Sequence, residues 1–231
     1  MAPILGKPMI GHVYERVSRS PLLDLVAVAT CDLEIHDYIE SIGGTAVMTS
    51  DQHERASDRC GEALLKLEQA RRTRYDIVVM IQGDEPMTHP GMIAEAVQPL
   101  LEYPEVAVTN LLGQISDTAE FEDRNCIKVV CDLESNAMYF SREPIPTRGK
   151  IDKIPMAKQV CVIPFRRDFL LQYSKLQPTP LEIAESIDMM RILEHGMKVR
   201  MAPTKYNTQA VDTVDDLKKV ERLMQDVNWG L

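Results

Sequence analysis

Apolar residues along this chain come in two rhythms. Short unbroken runs at 25–30 (LVAVAT), 45–49 (TAVMT) and 77–81 (IVVMI) alternate with stretches where Leu, Ile or Val recur every three or four positions. Unbroken Val/Ile runs are what a strand covered on both faces looks like, and their alternation with amphipathic helices predicts an α/β fold. In order, the pattern predicts a helix over 9–18, the strand 25–30, and a helix capped by Asp32 that runs to about 42 before Gly43 and Gly44. The strand 45–49, a helix over 57–71 and the strand 77–81 follow. Beyond Pro90 a helix reaches about 101, and 106–112 reads as a strand. Residues 126–131 and 137–141 read as a strand pair around a polar turn, and 144–155 as an exposed connection. The run 159–165 reads as one strand. Helices around 167–174, 182–195 and 214–225 close the chain, with a short strand near 198–201. The expectation is one α/β domain over 1–231, with a mostly parallel, doubly wound sheet and a small antiparallel subregion. No repeat or low-complexity linker interrupts it.

Composition narrows the function classes. Hydrophobic residues are 45% and charged residues 26% of the 231 positions, ordinary for a folded domain. Asp and Glu number 35 against 26 Lys and Arg, a net charge of −9 with no basic stripe, which argues against nucleic acid as a partner. No apolar run approaches the roughly 20 residues that cross a bilayer, and the first residues carry no secretory signal pattern. The five cysteines are scattered without C-x-x-C spacing, the pattern of reduced thiols in a cytoplasmic protein.

Chemistry concentrates where the strand 77–81 runs into Gln82-Gly83-Asp84-Glu85-Pro86. A carboxylate at the carboxyl end of a buried strand lies on the rim where open α/β sheets bind ligands. Gly83 lets the backbone turn or approach a ligand closely. Asp84 is therefore a candidate metal ligand and Gln82 a hydrogen-bond donor, against the alternative of a simple strand-ending turn. A second acid stands far along in Ala210-Val211-Asp212-Thr213, where Thr213 and Asp216 have capping-box spacing and leave Asp212 unexplained by capping. Mg²⁺ is satisfied by one or two carboxylates plus waters and substrate phosphates. Ser57, Asp58 and Arg59 open a helix, where backbone amides favour an anion or a base edge, or simply cap it. Glu182, Glu185 and Asp188 recur every three residues, so they repel one another unless cations or a ligand's hydroxyls meet them, and Glu182 and Asp188 read as a solvated helix face. Lys128, Arg142 and Lys158 lie on or beside strands, as carboxylate partners or as edge-strand gatekeepers.

Together these blocks resemble the 3-deoxy-manno-octulosonate cytidylyltransferase family, the CMP-Kdo synthetases. The matching stretches are Gly6-Lys7-Pro8-Met9-Ile10 with His12 to Arg16, Gln82 to Pro86, Asn125 to Val130, Tyr139 to Pro146, Pro178 to Glu182, and Val211 to Thr213; in matching order they cover nearly all of the chain. The resemblance implies a nucleotide-diphospho-sugar transferase type of fold, CTP and a sugar acid as substrates, Mg²⁺, and commonly a homodimer. It implies that the anomeric hydroxyl of a 3-deoxy-manno-octulosonate-like acid attacks the α-phosphorus of CTP and releases pyrophosphate, activating a sugar for lipopolysaccharide or surface polysaccharide. Carried onto this sequence, Asp84 and Asp212 are the catalytic, metal-holding pair. Ser57, Asp58 and Arg59 lie along the nucleotide. Gln82, Arg142, Gln159 and Glu185 border the sugar acid, with Lys128 supporting from the next strand.

Three departures from the family pattern are visible. Its opening strand and Arg- and Lys-bearing phosphate loop are expected to be absent, since the chain is read as going from a loop straight into its first helix. Its Ser-Gly-Thr before Asp-Arg is Arg55-Ala56-Ser57 here. Its sugar-side His and Tyr fall on Gln159 and Ile163, and its Glu-Gln pair on Asp188-Met189. These departures motivate an alternative, a catalytically inactive nucleotide-binding relative.

Overall fold

The computed structural model describes residues 1–115, 117–147 and 156–226. Ahead of the first helix lies a feature the sequence reading missed, a hairpin of β1 (Pro3–Ile4) and β2 (Lys7–Pro8) turned at Gly6, whose φ of +79° suits glycine. Helix α1 (Met9–Val17) follows. Then come β3 (Val28–Thr30), α2 (Leu33–Ser41), β4 (Ala46–Met48), α3 (Ala56–Arg71), β5 (Ile77–Ile81) and α4 (Pro90–Glu102). Asp32 caps α2 by accepting the Glu34 amide at 2.8 Å, as its position predicts.

The second half holds β6 (Thr109–Gln114), a short α5 (Thr118–Glu122) that no pattern announced, β7 (Lys128–Cys131), β8 (Ala137–Ser141), β9 (Ala157–Val160) and β10 (Val162–Arg166). Helices α6 (Arg167–Tyr173), α7 (Pro180–Glu185) and α8 (Asp188–Glu194), strand β11 (Arg200–Pro203) and α9 (Val214–Asp226) complete it. Much of the exposed connection expected over 144–155 lies outside the described residues.

The α/β class holds, but the pairing is mixed rather than mostly parallel. Parallel pairs are β3–β4 and β6–β11; β5–β10, β6–β9, β7–β9 and β7–β8 are antiparallel. One mixed sheet has five strands in the order β11-β6-β9-β7-β8. It curls until its two ends meet, with Ala137 N donating to Val199 O and Met201 N to Ser135 O.

Two predicted elements break, and both breaks shape the cleft described below. The run 159–165 is two strands: Val160 pairs with Leu111 of β6, Val162 pairs with Ile81 of β5, and Cys161 between them carries the chain from one sheet to the other. The predicted helix 182–195 is split by Ser186, whose φ of +55° ends α7 in a left-handed cap. The main core, including Phe140, Phe165, Tyr173, Met189 and Ile192, lies between this sheet and α6–α8. On the other side α3 packs on β3, β4 and β5, and Ile77, Val79 and Ile81 meet Val13, Val17, Ile93 and Val97 of α1 and α4.

Candidate active site

At the carboxyl end of β5 the chain turns through Gln82–Glu85, and two tethers hold the turn against neighbouring segments. Gln82 N donates to Cys161 O at 3.3 Å, so the turn is fastened where β9 passes into β10. Val211 N donates to Asp84 O at 3.0 Å, so the loop before α9 lies directly on it. The result is a cleft of about 300 Å³ whose walls include Gln82, Asp84, Arg142, Gln159 and Asp212. Residues separated by up to 130 positions thus converge on one end of the sheet.

Asp84 is the most unusual group there. Its Oδ1 is buried and meets no hydrogen-bond donor among the described residues. Burial first, and then the charge of Asp212, push its carboxyl up to about 6. Asp212 is itself raised, chiefly by burial and then by Asp216, while Arg142 opposes the shift. Asp216 is occupied as expected from its spacing: it accepts the Thr213 amide at 2.9 Å and its own amide donates to Thr213 Oγ1 at 3.2 Å. Two carboxylates lining one cleft, one with an oxygen that meets no donor among the described residues, are a donor set that suits a hard divalent cation. No group of three or more His, Cys, Asp or Glu poised for a metal occurs among the described residues.

Arg142 enters the cleft from the end of β8, tethered by carbonyls. Its Nε donates to Glu185 O at 2.7 Å and its Nη1 to Arg124 O at 3.0 Å. Gln159 donates to Asn110 Oδ1 at 2.5 Å, and Asn110 in turn donates to Val160 O, which orients the pair.

Apart from Lys158, the remaining predicted residues are not among those lining the cleft. Glu185 accepts from Tyr139 Oη, Ser141 Oγ and the Arg142 amide, and so props Arg142 from behind. Lys128 is fully buried and donates to three carbonyls, those of Asp123, Cys126 and Arg142. Burial lowers its pKa, and it pins the same wall. Ser57, Asp58 and Arg59 are engaged internally: Ser57 with Asp188, Asp58 with Arg191 at 3.4 Å, and Arg59 with Thr49 Oγ1 at 2.6 Å. The predicted solvated face of Glu182 and Asp188 is corrected here. The break at Ser186 separates α7 from α8, yet both acids approach Arg55, at 3.3 and 3.9 Å, and Glu182 is fully buried in an ion pair with Arg191 at 2.6 Å. Of the positions that depart from the family pattern, Ile163 and Met189 sit in the core and only Gln159 reaches the cleft. Lys158, foreseen as a carboxylate partner, meets Glu120 at 2.5 Å.

Sequence reasoning missed Glu120, Asp123, Asn125, Thr208 and Lys219, which also line the cleft. Only Lys219 had a usable signal, lying three positions after Asp216 on the same helix face.

The cytidylyltransferase family model matches residues 1–199. The chain belongs to that family. The 3-deoxy-manno-octulosonate cytidylyltransferase of Geotalea uraniireducens is 41% identical to it over 235 residues, covering 96% of this chain and 91% of that protein. That of Geobacter sulfurreducens is 41% identical, covering 95% and 90%. A solved CMP:2-keto-3-deoxy-manno-octonic acid synthetase complexed with CTP superposes with a TM-score of 0.85 at 36% identity, covering 98% of this chain and 91% of that one. A 4-diphosphocytidyl-2C-methyl-D-erythritol synthase at 13% identity and TM-score 0.61 shares the fold. The chain is thus a nucleotidyltransferase by family. No described helix is long and apolar enough to cross a membrane.

Proposed function

We propose that this chain transfers CMP from CTP to the anomeric hydroxyl of 3-deoxy-manno-octulosonate, as its relatives' names state for them. One observation supports the assignment to this cleft: the buried Asp84 oxygen that meets no donor among the described residues, in a cleft it shares with Asp212. In the reaction the sugar oxygen forms a bond to the α-phosphorus, the bond to pyrophosphate breaks, and the hydroxyl proton passes to solvent. Such a transfer is promoted by in-line positioning and by neutralising phosphate charge rather than by covalent help. Asp84 and Asp212 would hold Mg²⁺, which supplies that neutralisation when bound. Arg142, held rigid by Glu185 and Lys128, offers its guanidinium to the sugar carboxylate. Gln82 and Gln159 offer amides to hydroxyls. A homodimer accords with the exposed Met138 on edge strand β8 and Ile183 on α7, and the supply of CTP suits the cytoplasm.

The test is pyrophosphate release from CTP. Release is expected only when Mg²⁺ and the sugar acid are both present. No release with any 2-keto-3-deoxy sugar acid at saturating Mg²⁺ overturns the reading.

A further inference from the structure

Thr208 is a small residue in the loop before α9, two positions ahead of the Ala210–Thr213 motif, and it is gripped from two sides. Its hydroxyl donates to Glu85 Oε2 at 2.8 Å, and its carbonyl accepts from Lys158 Nζ at 3.0 Å. Thr208 is 5% exposed, Glu85 3% and Lys158 8%, so the junction is closed to solvent. Glu85 in turn accepts the Cys161 amide at 3.3 Å, where the strand changes sheets. Lys158 is anchored to Glu120. The loop from Thr204 to Thr213 has no regular structure. Apart from Val211 N on Asp84 O, the Thr208 pair are the bonds described here that tie residues 208–212 to the sheet side of the cleft.

We infer that Thr208 is a positioning residue: locked by Glu85 and Lys158, it sets where Asp212 stands relative to Asp84 and thereby how tightly the pair binds a divalent cation. Asp212 is four residues downstream on a segment with no rigidity of its own. A carboxylate on a loose loop pays ordering entropy each time it binds, whereas a clamped one is preorganised. The inference rests on the reading that Asp84 and Asp212 share a cation.

The test compares Thr208→Val, which keeps the shape and removes the hydroxyl, with Thr208→Ser, which keeps the donor. Mn²⁺ binding is measured by calorimetry in the presence of CTP, alongside the Mg²⁺ concentration for half-maximal pyrophosphate release. Thr208→Val should weaken Mn²⁺ and raise the Mg²⁺ requirement by about tenfold, the size of effect that supporting partners of metal ligands have. KM for the sugar acid should stay unchanged, and Thr208→Ser should stay within about twofold of the parent. Glu85→Met removes the acceptor from the other end of the same bond, in case Thr208→Val fails to fold, and should shift Mn²⁺ affinity in the same direction. Mn²⁺ affinity unaltered in folded Thr208→Val or Glu85→Met, or Thr208→Ser as weak as Thr208→Val, overturns the inference. A parent chain that neither binds Mn²⁺ nor turns over removes the shared-cation reading itself, and the inference with it.

Discussion

Two dense groups of charged side chains lie in this molecule, and they have opposite chemistry. Where α3 meets α7 and α8, Ser57, Asp58, Glu182, Asp188, Arg55 and Arg191 form a knot in which every carboxylate meets a donor. Arg191 also lies over the Tyr173 ring, 4.5 Å from its centroid. At the end of β5, by contrast, Asp84 keeps a buried oxygen that meets no donor among the described residues, under the charge of a second acid. Buried polar groups are normally satisfied, so the first cluster reads as scaffold and the second as a place awaiting a ligand. Charge density alone does not mark a site; charge left unanswered does.

The largest expected effect breaks the cleft side of this contrast. Asp84→Asn should lower turnover about 1,000-fold, the scale of losing a principal transition-state charge group, and abolish calorimetric Mn²⁺ binding. Its metal-free thermal midpoint should not fall, because an amide is better suited to that buried spot than a carboxylate. Unfolding of the variant would make Asp84 structural.

The next effect breaks the knot. Arg191→Met strands the fully buried Glu182 and should cost about 3–5 kcal/mol in urea unfolding, with Arg191→Met/Glu182→Leu recovering most of it. If the single variant loses less than about 1 kcal/mol, the knot is not the scaffold described here.

The smallest effect sharpens the contrast through pH. The Asp84 carboxyl is raised from 3.8 to about 6, so the fold favours its protonated form. That stability is fully present below about pH 4 and is lost as pH rises through about 6, worth about 1–2 kcal/mol for this group. Metal-free unfolding free energies from urea titrations of the parent, relative to Asp84→Asn, should therefore fall between pH 4.5 and 7 by that amount. A difference that stays flat with pH would mean that the carboxyl is not burdened.

Much of this was legible in residue order. The run IVVMI became β5 with the predicted ends, Asp32 caps its helix, and the Thr213–Asp216 box forms and leaves Asp212 spare. These outcomes depend on neighbours within a few positions. The misses depend on distance. Nothing local distinguishes a strand that changes partners at Cys161 from one continuous strand, because apolar residues suit either sheet. The short α5 and the β1–β2 hairpin are too brief to show a period. Glu182 and Asp188 read as a solvated stripe because a left-handed Ser186 cannot be foreseen from three acids at regular spacing.

What the sequence by itself determined is the succession of helices and strands, their caps, and an aspartate delivered to the rim of a sheet, since backbone sterics and hydrophobic period act over one or two turns of chain. What only the tertiary structure decided is which charges find partners. Asp188 meets Ser57 across 131 positions and Glu182 meets Arg191, while Asp84 Oδ1 meets no donor among the described residues. The cost of burying a charge is set by whatever packing brings beside it.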